Sequence, residues 1–116
     1  MSGATVRWPG ARERRARLEA ELGRILAELP RLGVTKAILF GSMASGTIGE
    51  TSDLDLLLIA PSGERFTRRL EHFYRALAPS VALDLLVYTP EEFSVMALTN
   101  RFVRAAVSLG KVVYEA

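Results

Sequence analysis

No cysteine occurs among the 116 residues. Disulfides and thiolate metal sites are therefore excluded, and a reducing compartment is compatible with the chain. Histidine occurs once, at His72; it stands beside an apolar helical stripe and reads as a surface residue rather than a ligand. Long hydrophobic runs are missing too. The longest apolar stretches, 54–60 and 81–88, are far too short to span a bilayer. The Arg-rich segment from Met1 to Arg17 has no apolar h-region, which excludes a secretory signal. The expected location is the cytoplasm, without a membrane partner. Basic residues are not interleaved with aromatics as on a base-stacking platform, so nucleic acid is not an expected partner. The net charge of +2 is uneven: residues 1–31 hold seven Arg against four Glu, and the rest holds eight basic against nine acidic residues. Such a mild bias fits a solvated helix face with Glu/Arg pairs better than a nucleic-acid footprint.

Hydrophobic residues make up 49% of the chain and charged residues 24%, the proportions of an ordinary globular protein. The length predicts one domain, 1–116, with residues 1–10 (Gly3, Pro9, Gly10) as a loose arm. From Ala11 to Leu29, leucines and Ile25 recur at helical spacing, and Pro30 and Gly33 end that helix. Lys36 to Phe40 reads as a short buried strand. Met43 to Glu50 reads as a short helical turn and a loop, Leu54 to Ala60 as an apolar strand closed by Pro61-Ser62-Gly63. Glu64 to Ala78 is an amphipathic helix with Phe66, Leu70, Phe73 and Leu77 on one face, and Val81 to Tyr88 another strand. Thr89-Pro90 opens a helix, with Thr89 as cap, that bends near Thr99-Asn100 and runs to Leu109. Lys111 to Tyr114 closes the chain as a strand. This order predicts an α/β (α+β) domain: a small mixed β-sheet flanked by helices.

Aspartate is scarce and oddly placed. The ten Glu lie in helices, loops or at the C-terminus, whereas the three Asp all lie at or inside the most apolar strands. Asp53 and Asp55 open the strand 54–60, and Asp84 interrupts 81–87. Strand alternation puts Asp53 and Asp55 on one side, about 7 Å apart, and a neighbouring strand would bring Asp84 to the same side. Clustered carboxylates repel and are costly to bury, and neither strand carries a Lys or Arg to neutralise them. A hard divalent cation would, since Mg²⁺ favours one or two carboxylates together with phosphate oxygens and water; the other reading makes Asp53 a cap or turn residue and Asp84 an exposed residue on an edge strand. Gly41-Ser42 follows a strand and precedes a short helix, a place where the backbone can approach an anion closely and free amides favour phosphate. A phosphate-gripping loop ten residues before a carboxylate pair is what triphosphate chemistry requires.

Phe40-Gly41-Ser42, then Ser52-Asp53-Leu54-Asp55-Leu56 and the later Asp84, resemble the signature of the DNA polymerase beta nucleotidyltransferase superfamily. The compact length and Thr89-Pro90-Glu91-Glu92-Phe93 resemble its minimal nucleotidyltransferase (MNT) branch. The resemblance covers roughly residues 35–115 and implies the nucleotidyltransferase fold. It further implies that Gly41 and Ser42 bind the nucleotide's triphosphate and that Asp53 and Asp55 hold two Mg²⁺ ions. Asp84 would complete one metal site and help to activate the attacking hydroxyl, so that all three Asp are the expected catalytic and metal residues. ATP is the implied substrate. MNT proteins are often paired with a HEPN-domain ribonuclease as antitoxin and toxin, and the resemblance implies transfer of AMP to a tyrosine of that partner. In one departure, Ser45 stands before Gly46 where many relatives carry Arg, which removes a phosphate-binding cation; Lys36, Arg68 and Arg101 are candidate substitutes. Two other functions fit the sequence: a non-enzymatic toxin-binding module, and transfer to a small hydroxylated compound such as an antibiotic, where a homo-oligomer would build the pocket.

Overall fold

Four strands form the centre of the chain: β1 (Lys36–Phe40), β2 (Leu54–Ile59), β3 (Leu83–Tyr88) and β4 (Lys111–Glu115). The computed structural model describes residues 10–41 and 52–116; the N-terminal arm and the short turn expected at Met43 to Glu50 lie outside them. Four helices are described: α1 (Ala11–Glu28), α2 (Phe66–Leu77), α3 (Pro90–Thr99) and α4 (Arg101–Leu109). The sheet order is β3-β2-β1-β4. β1 runs antiparallel to both β2 and β4, whereas β2 and β3 are parallel. This is the mixed sheet with flanking helices that the element order predicts.

The sheet is covered on both faces because β2 is apolar at nearly every position, and all six of its residues are buried. Leu54, Leu56 and Leu58 point to one face and join Leu18 and Ile25 of α1, Leu29 at its C-cap, and Phe73 and Leu77 of α2. Leu57 and Ile59 point to the other face, where they meet Tyr88, Val103 and Ala106, with Phe93 and Met96 packed alongside. Such a strand, apolar on both sides, is what a doubly covered parallel pair demands.

Local chemistry sets the helix ends. Thr89 and Glu92 cap α3 reciprocally: the Glu92 N–H donates to Thr89 Oγ1 (3.1 Å) and the Thr89 N–H to Glu92 Oε1 (2.9 Å), a capping box with Pro90 at the first position. Asn100 breaks the helical run and caps α4, its Oδ1 accepting from the Val103 N–H (3.0 Å). At the end of α2, Arg24 of α1 donates to the Leu77 carbonyl (2.9 Å) and pairs with Glu21. Glu21 also accepts from the Ser80 N–H (2.7 Å). These bonds tie α1 to the α2–β3 turn.

The two sheet edges are treated differently. Along β3, α2 supplies polar groups to the outward-facing backbone: Arg69 donates to the Val87 carbonyl (2.8 Å), and the Tyr74 hydroxyl bridges Leu83 and Leu85. An edge sealed in this way offers no template for pairing with another strand. At the other edge Val112 stays exposed, as do Val95, Leu98, Phe102 and Leu109 on α3 and α4.

Candidate active site

Asp55 and Asp84 face each other across the parallel β2–β3 pair. They are Cα partners in the register, which places them about 5 Å apart on one face of the sheet. That face is the one covered by α3 and α4, but the helices leave a cavity of about 550 Å³ over the two carboxylates. Its walls include Phe40 and Gly41 at the end of β1, Ser52, Tyr74, Asn100 and Phe102. Asp55 is only 6% exposed and its Oδ1 accepts from the Ser52 hydroxyl (2.6 Å). Asp84 is exposed, and no hydrogen bond to its carboxylate is found among the described residues. One carboxylate is thus held from behind and the other is presented to the cavity.

Gly41 is required here for two reasons. Its φ of +76° lies in the left-handed region, which side chains other than glycine's adopt at a cost. A Cβ at this position would also sit 2.8 Å from Asp55 Cγ and closer still to Oδ2. The close approach expected at this glycine therefore involves Asp55 itself. Ser42, Ser45 and Gly46 lie outside the described residues.

Asp53 departs from strand alternation. It stands in the bend before β2, where both the Asp53 and the Leu54 N–H donate to the Ala82 carbonyl (2.9 and 3.1 Å). In return the Ala82 N–H donates to Asp53 Oδ2 (3.0 Å). The other oxygen, Oδ1, pairs with Arg14 of α1. Asp53 does not line the cavity, and among the described residues no three Asp, Glu or His side chains come together closely enough to hold a metal ion. Neither strand carries a Lys or Arg, as the sequence shows, but Asp53 finds a cation outside the strands. The cation comes from a helix 39 positions earlier, and nothing local in the sequence signals it.

Of the candidate substitute cations, Lys36 pairs with Glu115 at the far end of β1 (3.8 Å). Arg101 lines a separate surface groove with Arg104. His72 is exposed and faces Glu64 (3.2 Å), the surface role expected of it. Burial pushes the Tyr74 phenol above its usual range and the charge of Asp84 adds to this, against the opposing bond from the Leu85 N–H. Tyr74 therefore stays protonated beside the carboxylates.

A family model of the nucleotidyltransferase domain matches residues 20–105, most of the chain. Among solved structures, a Sulfolobus solfataricus protein described as a candidate nucleotidyltransferase superposes with a TM-score of 0.63. The two share 18% identity, and the match covers 90% of this chain and 86% of that one; at this identity the likeness speaks for the fold alone. No curated protein matches the sequence. The chain belongs to the nucleotidyltransferase domain family, and nucleotidyl transfer is the class of reaction that its family and fold support.

Proposed function

We propose that this nucleotidyltransferase is an Mg²⁺-dependent enzyme that moves AMP from ATP to a tyrosine hydroxyl of a HEPN-type toxin and so acts as its antitoxin. The observation that carries the chemical part is the in-register pair Asp55–Asp84 facing one cavity, with Gly41 pressed against Asp55. Two carboxylates converging on an open space suit Mg²⁺, which fills its remaining positions with phosphate oxygens and water. Asp55 and Asp84 would hold the metal, with Asp53 joining them once released from Arg14. Bound there, two Mg²⁺ ions would neutralise phosphate charge and lower the pKa of the attacking hydroxyl.

The chain's own groups do the positioning. Ser52 fixes the Asp55 carboxylate, and the bare Gly41 backbone leaves room for that carboxylate to lie against it. Asp84, open to the cavity, stands where an incoming hydroxyl can give up its proton. In the reaction the tyrosine oxygen bonds to the α-phosphorus, the bond to the bridging oxygen breaks, and pyrophosphate leaves.

The protein acceptor is supported by the resemblance to MNT proteins and by the apolar side chains that α3 and α4 leave exposed, Val95, Leu98 and Phe102 among them, since patches of this kind mark interaction surfaces. Incubation with ATP, Mg²⁺ and the product of the adjacent reading frame tests it. Mass spectrometry is expected to find one AMP on a tyrosine of that partner, and an unmodified partner overturns the acceptor assignment.

The Arg14–Asp53 pair favours a second reading, in which the chain neutralises its partner by binding alone. An Asp53→Asn/Asp55→Asn variant that still protects cells from the partner would support that reading, and loss of protection would exclude it.

A further inference from the structure

The tyrosine on α2 that touches the outer edge of β3 lies beside Asp84. Strand residues alternate the side to which their N–H and C=O point. The carbonyl of Val87 is taken by Arg69 and that of Leu83 by Tyr74, so Leu83, Leu85 and Val87 face outward from the edge. Asp84 turns its own backbone groups inward, toward β2. Its two neighbours would be left without partners at the edge, were it not for one side chain. The Tyr74 hydroxyl donates to the Leu83 carbonyl (2.7 Å) and accepts from the Leu85 N–H (3.0 Å). A single oxygen therefore spans the residues on both sides of Asp84 and does the work of a missing neighbouring strand.

We propose that Tyr74 is a positioning residue for Asp84: its hydroxyl locks the backbone on either side and so fixes the direction in which that carboxylate enters the cavity. Three observations converge on this role. The Asp84 carboxylate has no hydrogen-bonded partner among the described residues, so its backbone is what aims it. Tyr74 is half-buried with its ring packed on the core of the α1–α2 face, which makes the hydroxyl a fixed point rather than a swinging one. The same side chain lines the cavity that holds Asp55 and Asp84. Tyr74 acts through another residue and makes no bond to the reacting atoms. The proposal rests on the reading of Asp84 as a metal-holding residue.

The test is Mn²⁺ binding, with the ion alone as probe, to the wild type, Tyr74→Phe, Asp84→Asn and the double variant. Tyr74→Phe keeps the ring in the core and removes only the hydroxyl. Groups that orient a metal ligand typically contribute 10- to 100-fold to affinity, and acting at one remove Tyr74→Phe is expected to weaken Mn²⁺ binding about tenfold. In the Asp84→Asn background the same change is expected to have no further effect, because residues acting through one another are not additive. Amide exchange at Leu85 is expected to speed up in both backgrounds, which reports that the bridge was broken. Equal Mn²⁺ affinity in wild type and Tyr74→Phe, with Leu85 exchange accelerated, overturns the positioning role. A tenfold loss that persists in the Asp84→Asn background overturns it as well, since the hydroxyl would then act on structure in general. A wild type that binds no Mn²⁺ overturns the reading of the site, and this role with it.

Discussion

The two faces of one sheet use the same three strands for opposite ends. Toward α1 and α2, the residues of β2 are Leu54, Leu56 and Leu58, all fully buried, and they meet leucines, an isoleucine and a phenylalanine. Toward α3 and α4 the same strand presents Asp55, then Leu57 and Ile59, and the helix cover gives way over the aspartate. α3 buries none of its residues. Alternation of side chains therefore lets a single six-residue strand carry the fold on one face and a charged site on the other. The closed face packs apolar side chains against β2, and the open face can tolerate carboxylates because the cavity admits water and ligand.

This difference can be broken from either side. The largest effect is expected on the closed face, where Leu56→Ala should destabilise the protein by about 3 kcal/mol through lost burial and the cavity left behind. Denaturant unfolding measures it, and nucleotide binding below the transition should persist. On the open face, Asp55→Asn should reverse the pattern. The amide can still accept the bond from Ser52, so unfolding should shift by about 1 kcal/mol or less, while nucleotidyl transfer should fall on the order of a hundredfold or more. An equal loss of stability in both variants would erase the distinction between the faces.

A third change sharpens the account of what holds the closed face together. The Arg24 guanidinium, followed by the Ser80 N–H, holds the Glu21 carboxyl down at about 2, from an ordinary value of 4.5. A depressed carboxylate stabilises fully above its unfolded pKa and loses that contribution as pH falls. Wild-type stability should thus decline as pH drops from about 4.5 toward 2. Glu21→Gln should flatten that part of the urea-midpoint profile and cost about 1 kcal/mol at neutral pH, a modest figure because Arg24 is half-exposed to solvent. The smallest effect belongs to Arg14→Gln. Releasing Asp53 from a partly exposed ion pair worth at most about 1 kcal/mol should strengthen Mn²⁺ binding up to about fivefold, and weaker binding would show that Arg14 supports the site instead of competing for it.

The fold and half of the site could be read along the chain because the information is local. The helical spacing of Leu18, Leu22 and Ile25, the cap at Thr89 and the break at Asn100 are all statements about near neighbours. The in-register meeting of Asp55 and Asp84 needed only parallel pairing of two apolar strands, the arrangement found. What escaped is long-range. The strand expected from Val81 begins at Leu83, because Ala82 is drawn into the bend at Asp53. That same bend turns Asp53 away from alternation and toward Arg14. Tyr74 stands one position beyond Phe73 of the apolar helical face, and only the tertiary docking of α2 on the β3 edge gives its hydroxyl a task.

If Asp55 and Asp84 together make a metal-dependent nucleotide site, ATP binding must need both carboxylates and Mg²⁺. Calorimetric titration of ATP into the wild type and an Asp55→Asn/Asp84→Asn variant, with and without Mg²⁺, tests it most directly. The wild type is expected to bind ATP only with Mg²⁺ present, and the variant is expected to bind none. Binding that ignores Mg²⁺, or that survives the double substitution, would contradict it.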